Sequence, residues 1–294
     1  MSTGTQEREQ AVTVAIREIS HIATLPEVTL KIVELVEDPS STAQDLHNVI
    51  ANDPALSSRI LKVVNSSFYG LPGQIGSINR AIVMLGLNAV KNIAIAASLA
   101  KLFRGGDLSH GFSARAVWEH AVACGAVTKM IADTAKVGFA DEAFLAGLMH
   151  NIGLMVEMQF DRNKLIEVVQ TLGVDGDGVP ANDMRDVEAQ LIGADHQDFG
   201  KGLCEKWKFP SNFALVTGYH HNPMSAPADA RRLPAMVYLA DRLVGAVDGQ
   251  FRLDLTSLQI DPEVLAVLGL SEADVNTLRE RVPEEISAAA GLLG

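Results

Sequence analysis

The chain has 294 residues, 48% hydrophobic and 20% charged, with a net charge of −12 at pH 7, a balance that reads as soluble and globular. Its longest uncharged apolar run covers only residues 143–156, too short to cross a bilayer. Residues 1–117 carry ten basic and ten acidic side chains, whereas residues 118–294 carry 14 basic and 26 acidic, so the second half repels phosphates and direct binding of nucleic acid is not expected.

Aromatic residues make up 5% of the chain, so the core must be mostly aliphatic, and the prominence of Ala and Leu favours helix packing. The first ten residues are polar, of mixed charge, and hold no apolar signal core; the expected location is the cytoplasm. Cys124 and Cys204 lie in helix-like contexts without metal-ligand spacing and read as buried free thiols.

Helical signals recur throughout and strand alternation is scarce, so the predicted fold is all-α. Residues 1–20 read as a helix start, with Val12, Ile16 and Ile19. Pro26 opens a helix carrying Val28, Leu30, Ile32, Leu35 and Val36, which Asp38-Pro39 ends. Ser41 and Gln44 form a capping-box pattern before Leu46, Val49 and Ile50. Asp53-Pro54 supplies an N-cap and a first-position proline for a helix through Leu56, Ile60, Leu61 and Val64, closed by the turn Asn65-Ser66-Ser67-Phe68-Tyr69-Gly70. Ser77 starts a long helix with Ile78, Ile82, Leu85 and Val90, in which Gly86 is placed to bend or divide it.

A lobe boundary is predicted near 105–111, where Gly105-Gly106-Asp107 breaks the pattern. A helix over about 113–134 then sets Val117, Ala121, Cys124, Thr128 and Ile131 on one face. The next, from 141 to about 160, is apolar on nearly every side and is predicted as the buried central helix of the second lobe. Residues 173–183 form a loop that resembles a calcium loop only superficially, because the EF-hand ligands and closing Glu are out of register. Helices follow near 184–194, 198–206, 211–221 and 234–247, and the tail reads as short helices over 262–268, 271–281 and 283–290. The predicted organisation is an N-terminal extension (1–19), an N-terminal helical lobe (20–108), a second helical lobe (109–248) and a C-terminal helical tail (249–294).

The candidate site residues are His120, His150, Asn151, His196, His220, His221 and Asp241. Taken singly, most have bland explanations. His120 lies mid-helix among Ala116, Ala123 and Val127, as a satisfied core histidine would. His196 follows Asp195 at a helix start and could sit at the surface. His220-His221 precedes Asn222-Pro223, near a helix C-terminus whose dipole favours imidazolium. Asp241 is harder to dismiss, because it shares a stripe with Val237 and Val244, and a buried carboxylate needs a cation or donors. Its neighbour Arg242 points about 100° away by the helix period and is no automatic partner.

As an ordered series, these residues resemble the metal ligands of the HD superfamily of metal-dependent phosphohydrolases, especially its HD-GYP phosphodiesterase branch. The segment Leu148-Met149-His150-Asn151-Ile152-Gly153 resembles the HD motif itself, with Asn151 in place of the aspartate. Asn keeps the shape of Asp without its charge; it is a weaker ligand and cannot bridge two cations as an anion. Leu154 stands where the branch usually has Lys, and Gln197-Asp198-Phe199-Gly200 lacks its Gly-Tyr-Pro signature.

The first half narrows the resemblance. Leu25-Pro26, Asn52-Asp53-Pro54-Ala55-Leu56, Leu61-Lys62-Val63-Val64-Asn65-Ser66-Ser67-Phe68-Tyr69-Gly70 and Ile78-Asn79-Arg80-Ala81-Ile82-Val83-Met84-Leu85-Gly86 resemble the HDOD family, the HD-related output domains. Glu188, His196, Gly200, Trp207, Pro210 and His220-His221 continue the match, over roughly residues 20–245. The resemblance implies two helical lobes, the second an HD-like bundle, and a bacterial signal-transduction output that is non-catalytic and acts through a protein partner or a nucleotide-type ligand. His120, His150, His196, His220, His221 and Asp241 would hold at most one divalent transition metal (Fe, Mn, Zn or Ni), with Asn151 as the vestige of a catalytic site. The alternative expectation is a metal-dependent phosphohydrolase acting on a cyclic dinucleotide or a related phosphodiester.

Overall fold

The protein is described from a computed structural model that covers residues 3–19, 26–100, 102–103, 107–109, 112–175, 178–290 and 292. The fold is all-α. The first half runs α1 (Thr3–Glu18), α2 (Glu27–Glu37), α3 (Ala43–Ala51), α4 (Pro54–Val64), α5 (Ile78–Leu85) and α6 (Leu87–Leu99). The second half runs α7 (Ala114–Thr134), α8 (Ala140–Met149), α9 (Ile152–Phe160), α10 (Arg162–Thr171), α11 (Met184–Leu191), α12 (His196–Lys206), α13 (Ser211–Tyr219), α14 (Arg232–Gly245), α15 (Pro262–Leu268) and α16 (Glu272–Ala289). Between the halves a short antiparallel pair, β1 (Asp107–Ser109) and β2 (Phe112–Ser113), departs from the all-helical pattern expected there. Most of the predicted boundary at 105–111, and Leu25, lie outside the described residues.

Local chemistry sets the helix ends. The side chains of Asp53, Ser77 and Ser113 accept from the backbone N–H groups of Leu56, Arg80 and Ala116, satisfying donors that the first helical turn leaves open. The capping box of α3 lies one residue later than predicted: Thr42 and Asp45 form it, because the Ser41 hydroxyl instead donates to the Leu35 carbonyl at 2.8 Å. Gly86 divides rather than bends its helix, with φ 91° and ψ 161°, a conformation L side chains avoid.

Two further expectations are corrected. The apolar run from 141 to 160 is two helices, broken at His150-Asn151, where Asn151 takes φ −96° and ψ 21°. Periodicity could not reveal this break, because the residues on both sides are buried. The predicted pair of tail helices over 271–290 is one helix, α16, with Pro283 inside it. Pro283 is exposed, so the carbonyl deprived of its partner can meet water.

One continuous apolar core runs from Ala15 to Leu292 through both halves. Buried side chains lie on every face of α7, which packs against α8, α14 and α16, while α6 packs on α8 and α1 lies against α12 and α9. Two glycines permit the approaches that shape the interior. A Cβ at Gly147 would meet Thr128 Oγ1 at 2.5 Å and the Cys124 carbonyl at 2.6 Å, so α8 can lie hard against α7. A Cβ at Gly153 would meet the His196 carbonyl oxygen at 1.8 Å, so the first turns of α9 and α12 touch backbone to backbone. These contacts draw α7, α8, α9 and α12 together around one point of the second half.

Candidate metal centre

At that point the structure gathers the candidate side chains. His120 comes from the middle of α7, His150 and Asn151 from the break between α8 and α9, and His196 from the first position of α12. His220 and His221 directly follow α13, and Asp241 lies on α14. His120, His150, Asn151, His196, His220 and Asp241 have no exposed surface, and His221 is 8% exposed. His196 is therefore not a surface residue, and His120 is not a satisfied core histidine, since its Nδ1 is buried with no hydrogen-bond partner among the described residues.

The donors form two adjacent groups. In the first, His120 Nε2 lies 3.0 Å from Asp241 Oδ1 and 3.3 Å from Cys124 Sγ, and His150 Nε2 lies 4.0 Å from the same carboxylate oxygen. In the second, His196 Nε2 lies 3.0 Å from His221 Nε2, with His220 alongside. Within each group one ligand atom per residue falls within 4.8 Å of all the others. The groups meet where the rings of His150 and His220 stand 5.1 Å apart, centroid to centroid.

The ring tautomers follow from the tethers. His150 donates Nδ1–H to the Gly147 carbonyl at 2.6 Å, and His220 donates Nδ1–H to the Thr217 carbonyl at 3.0 Å. Each Nε2 is thus an unprotonated lone pair, buried and without a partner among the described residues. His196 Nδ1 donates to Glu188 Oε2 at 2.7 Å, and the same oxygen accepts from the His196 backbone N–H at 3.0 Å. Metal-ligating histidines are oriented by such carbonyl and carboxylate partners. The orphaned nitrogens and the unpartnered Asp241 Oδ2 make these residues fit a divalent transition metal.

The electrostatics divide the cluster. Burial holds His120 and His150 down to about 4 and pushes His220 and His221 well below the usual imidazole value, so all four are neutral near pH 7. Burial also opposes a charge on His196, but the charge and hydrogen bond of Glu188 outweigh it and raise the ring to about 9. His196 is therefore an imidazolium that donates Nε2–H toward His221, a proton that a metal at these nitrogens must displace. Asp241 is raised by burial. Arg242 turns away from it, with its guanidinium 3.4 Å from the Tyr238 ring centroid and its Nε donating to the Gln259 carbonyl at 3.0 Å.

Sequence reasoning missed four members of the site. Cys124 is a buried free thiol, as its sequence context implies, and its position one helical turn after His120 sets it in the first donor group. Glu188 was a family match without a role. Glu157 on α9 lies beside it, with its carboxyl raised well above the usual range by burial and by the Glu188 charge. Asp254 follows α14 in a stretch without helix, its side chain fully buried, accepting from Asn151 Nδ2 at 2.8 Å. Burial and the charge of Asp241 raise it to about 6. No motif marks it.

The comparisons agree with this architecture. An HDOD domain protein of unknown function from Geobacter sulfurreducens superposes with a TM-score of 0.82 at 21% identity, covering 98% of this chain and 99% of its own. A candidate phosphohydrolase from Shewanella amazonensis gives a TM-score of 0.75 at 22% identity, covering 97% of this chain and 98% of its own. At these identities the likeness is one of fold. An uncharacterized protein of Treponema pallidum (strain Nichols) is 25% identical over 263 residues, 84% of this chain but only 46% of the relative, so the chain spans about half of that protein's length. The HDOD domain matches residues 22–223, a span that holds His120, His150, Asn151, His196 and His220-His221 in one buried cluster, and on that match, which takes in well over half of the chain, the protein belongs to the HDOD family.

Proposed function

We propose that this chain is a bacterial signal-transduction output module, working in the cytoplasm through a protein partner or a bound nucleotide-type ligand, with a degenerate HD-type centre that binds metal without hydrolysing a substrate. Its working parts are a helical lobe over 20–108 and an HD-like lobe over 109–248, flanked by the extension 1–19 and the tail 249–294. The observation that carries the reading is Asn151: fully buried at the ligand position, it spends its amide N–H on Asp254 and offers the centre no negative charge. Burial of the donors supports the same reading, since a phosphodiester would need access to side chains that have almost no exposed surface.

His120, His150, His196, His220, His221 and Asp241 would hold the ion, joined by Cys124. A bound ion supplies Lewis acidity and a fixed positive charge at the centre of the bundle. The chain's own residues do the rest: Gly147 and Thr217 aim two imidazoles through their carbonyls, Glu188 fixes His196, and the surrounding helices exclude water. Folding and metal binding are then linked.

The second reading, a metal-dependent phosphohydrolase acting on a cyclic dinucleotide, draws on the two donor groups lying side by side. Stoichiometry separates the two. The chain purified with Fe, Mn, Zn and Ni available should carry no more than one ion, measured by elemental analysis against protein concentration. Two tightly held ions per chain would favour the hydrolase.

A further inference from the structure

We propose that Asp254, from the stretch that follows α14, supplies the metal-binding carboxylate that Asn151 lacks. The proposal rests on the reading of the cluster as a metal centre and adds a ligand from outside the residues matched by the family, which end at 223.

Asp254 Oδ2 accepts from Asn151 Nδ2 at 2.8 Å and lies 3.8 Å from His221 Nε2. Only the amide nitrogen can donate to a carboxylate, so the orientation of Asn151 is fixed by its partner. The side chain of Asp254 is completely buried, and its Oδ1 has no hydrogen-bond partner among the described residues. The Oδ1 of Asn151 is likewise buried and unpartnered. A buried carboxylate with one bare oxygen is costly to keep unless a cation or donors answer it. A residue needed only to accept from Asn151 could be an asparagine, whose oxygen would take the same hydrogen bond without burying a charge.

The stretch is built to hold this position. The Phe251 ring packs 5.5 Å from the His120 ring and 5.7 Å from Phe112, centroid to centroid. Leu255 is buried, and the Gln259 carbonyl accepts from Arg242 Nε at 3.0 Å and from the Tyr238 hydroxyl at 3.3 Å. Anchors thus flank Asp254 on both sides. The charge removed from the HD position stands one hydrogen bond away, on a different segment.

The test is a manganese(II) titration of the full chain, read from the electron paramagnetic resonance of the free ion, with metal-free melting temperatures measured in parallel. Asp254→Asn should weaken manganese binding at least roughly 10-fold, since losing even an outer partner of a metal ligand costs roughly 10–100-fold. Asn151→Asp should bind more tightly than the natural chain, yet melt lower without metal, because two carboxyl groups then face each other. The exchange Asn151→Asp/Asp254→Asn keeps one amide and one carboxylate in contact and should recover most of the affinity lost in Asp254→Asn. Unchanged binding by Asp254→Asn, alongside loss in His150→Ala, would overturn the role of Asp254 and leave the metal centre standing. A folded exchange variant that binds as weakly as Asp254→Asn would also overturn it. A natural chain that takes up neither manganese nor, by elemental analysis, Fe, Zn or Ni would overturn both readings.

Discussion

Replacing Gly153 by alanine should damage the centre through the backbone, without touching any donor. The added Cβ would sit 1.8 Å from the His196 carbonyl oxygen, 2.7 Å from its carbon and 2.8 Å from the Gly200 nitrogen. Ordinary contacts begin at 3.4 Å, so α12 must retreat from α9 by about 1.6 Å, and every opposing atom is main chain that cannot swing aside. Overpacking of this kind costs about 1–3 kcal/mol and occasionally more; a clash with helical backbone belongs at the upper end. At about 1.6 °C per kcal/mol, from roughly 2.1 cal/mol/K of unfolding entropy per residue, the melting temperature should fall by about 5 °C. The retreat also carries His196 away from His221, so metal affinity should fall with stability. Gly76→Ala is the control, since nothing lies within 4 Å of its added Cβ. Calorimetry on the three metal-free proteins measures the effect. A Gly153→Ala protein that melts within a degree or so of the natural chain would refute the close-approach argument.

Three further outcomes follow from the electrostatics. His196 is raised from 6.5 to about 9 in the folded chain, so its stabilisation is complete below pH 6.5 and lost as pH climbs to 9. Urea unfolding of the metal-free protein should therefore show a loss of roughly 3 kcal/mol across that window; a flat profile would remove the imidazolium. Glu188→Gln should destabilise by about 2–3 kcal/mol at pH 7, because the buried His196 ring loses the charge that keeps it protonated and sheds its proton, and should flatten that alkaline slope. Glu157→Gln should be nearly neutral in the same unfolding assay, because its carboxyl, raised well above the usual range, already carries its proton at pH 7.

The legible parts of the fold were those with local chemistry. Asp53, Ser77 and Ser113 announce helix starts because their side chains cap neighbouring N–H groups, and Pro262 opens α15 as expected. The break at His150-Asn151 was not legible: hydrophobic periodicity reports which residues are buried, and burial does not change across it. The capping box slipped by one residue because Ser41 and Thr42 are chemically equivalent until the Leu35 carbonyl claims one of them. In the site, the histidines and Asp241 are visible because family order singles them out. Cys124 left a faint signal, its i,i+4 spacing from His120, which puts both on one face of a helix. Asp254 left none, being one aspartate in an irregular stretch whose position is fixed by tertiary contacts, among them the packing of Phe251 and Leu255 and the hydrogen bonds to the Gln259 carbonyl.

The central claim is that a buried HD-type centre bearing Asn151 binds metal without turning over a phosphodiester. The most direct measurement is hydrolysis of a cyclic dinucleotide and of a generic phosphodiester by the metal-loaded natural chain, with His150→Ala measured beside it. The account predicts little or no turnover by either protein, together with loss of bound metal in His150→Ala. Robust metal-dependent turnover by the natural chain, abolished in His150→Ala, would contradict it and establish the protein as a hydrolase.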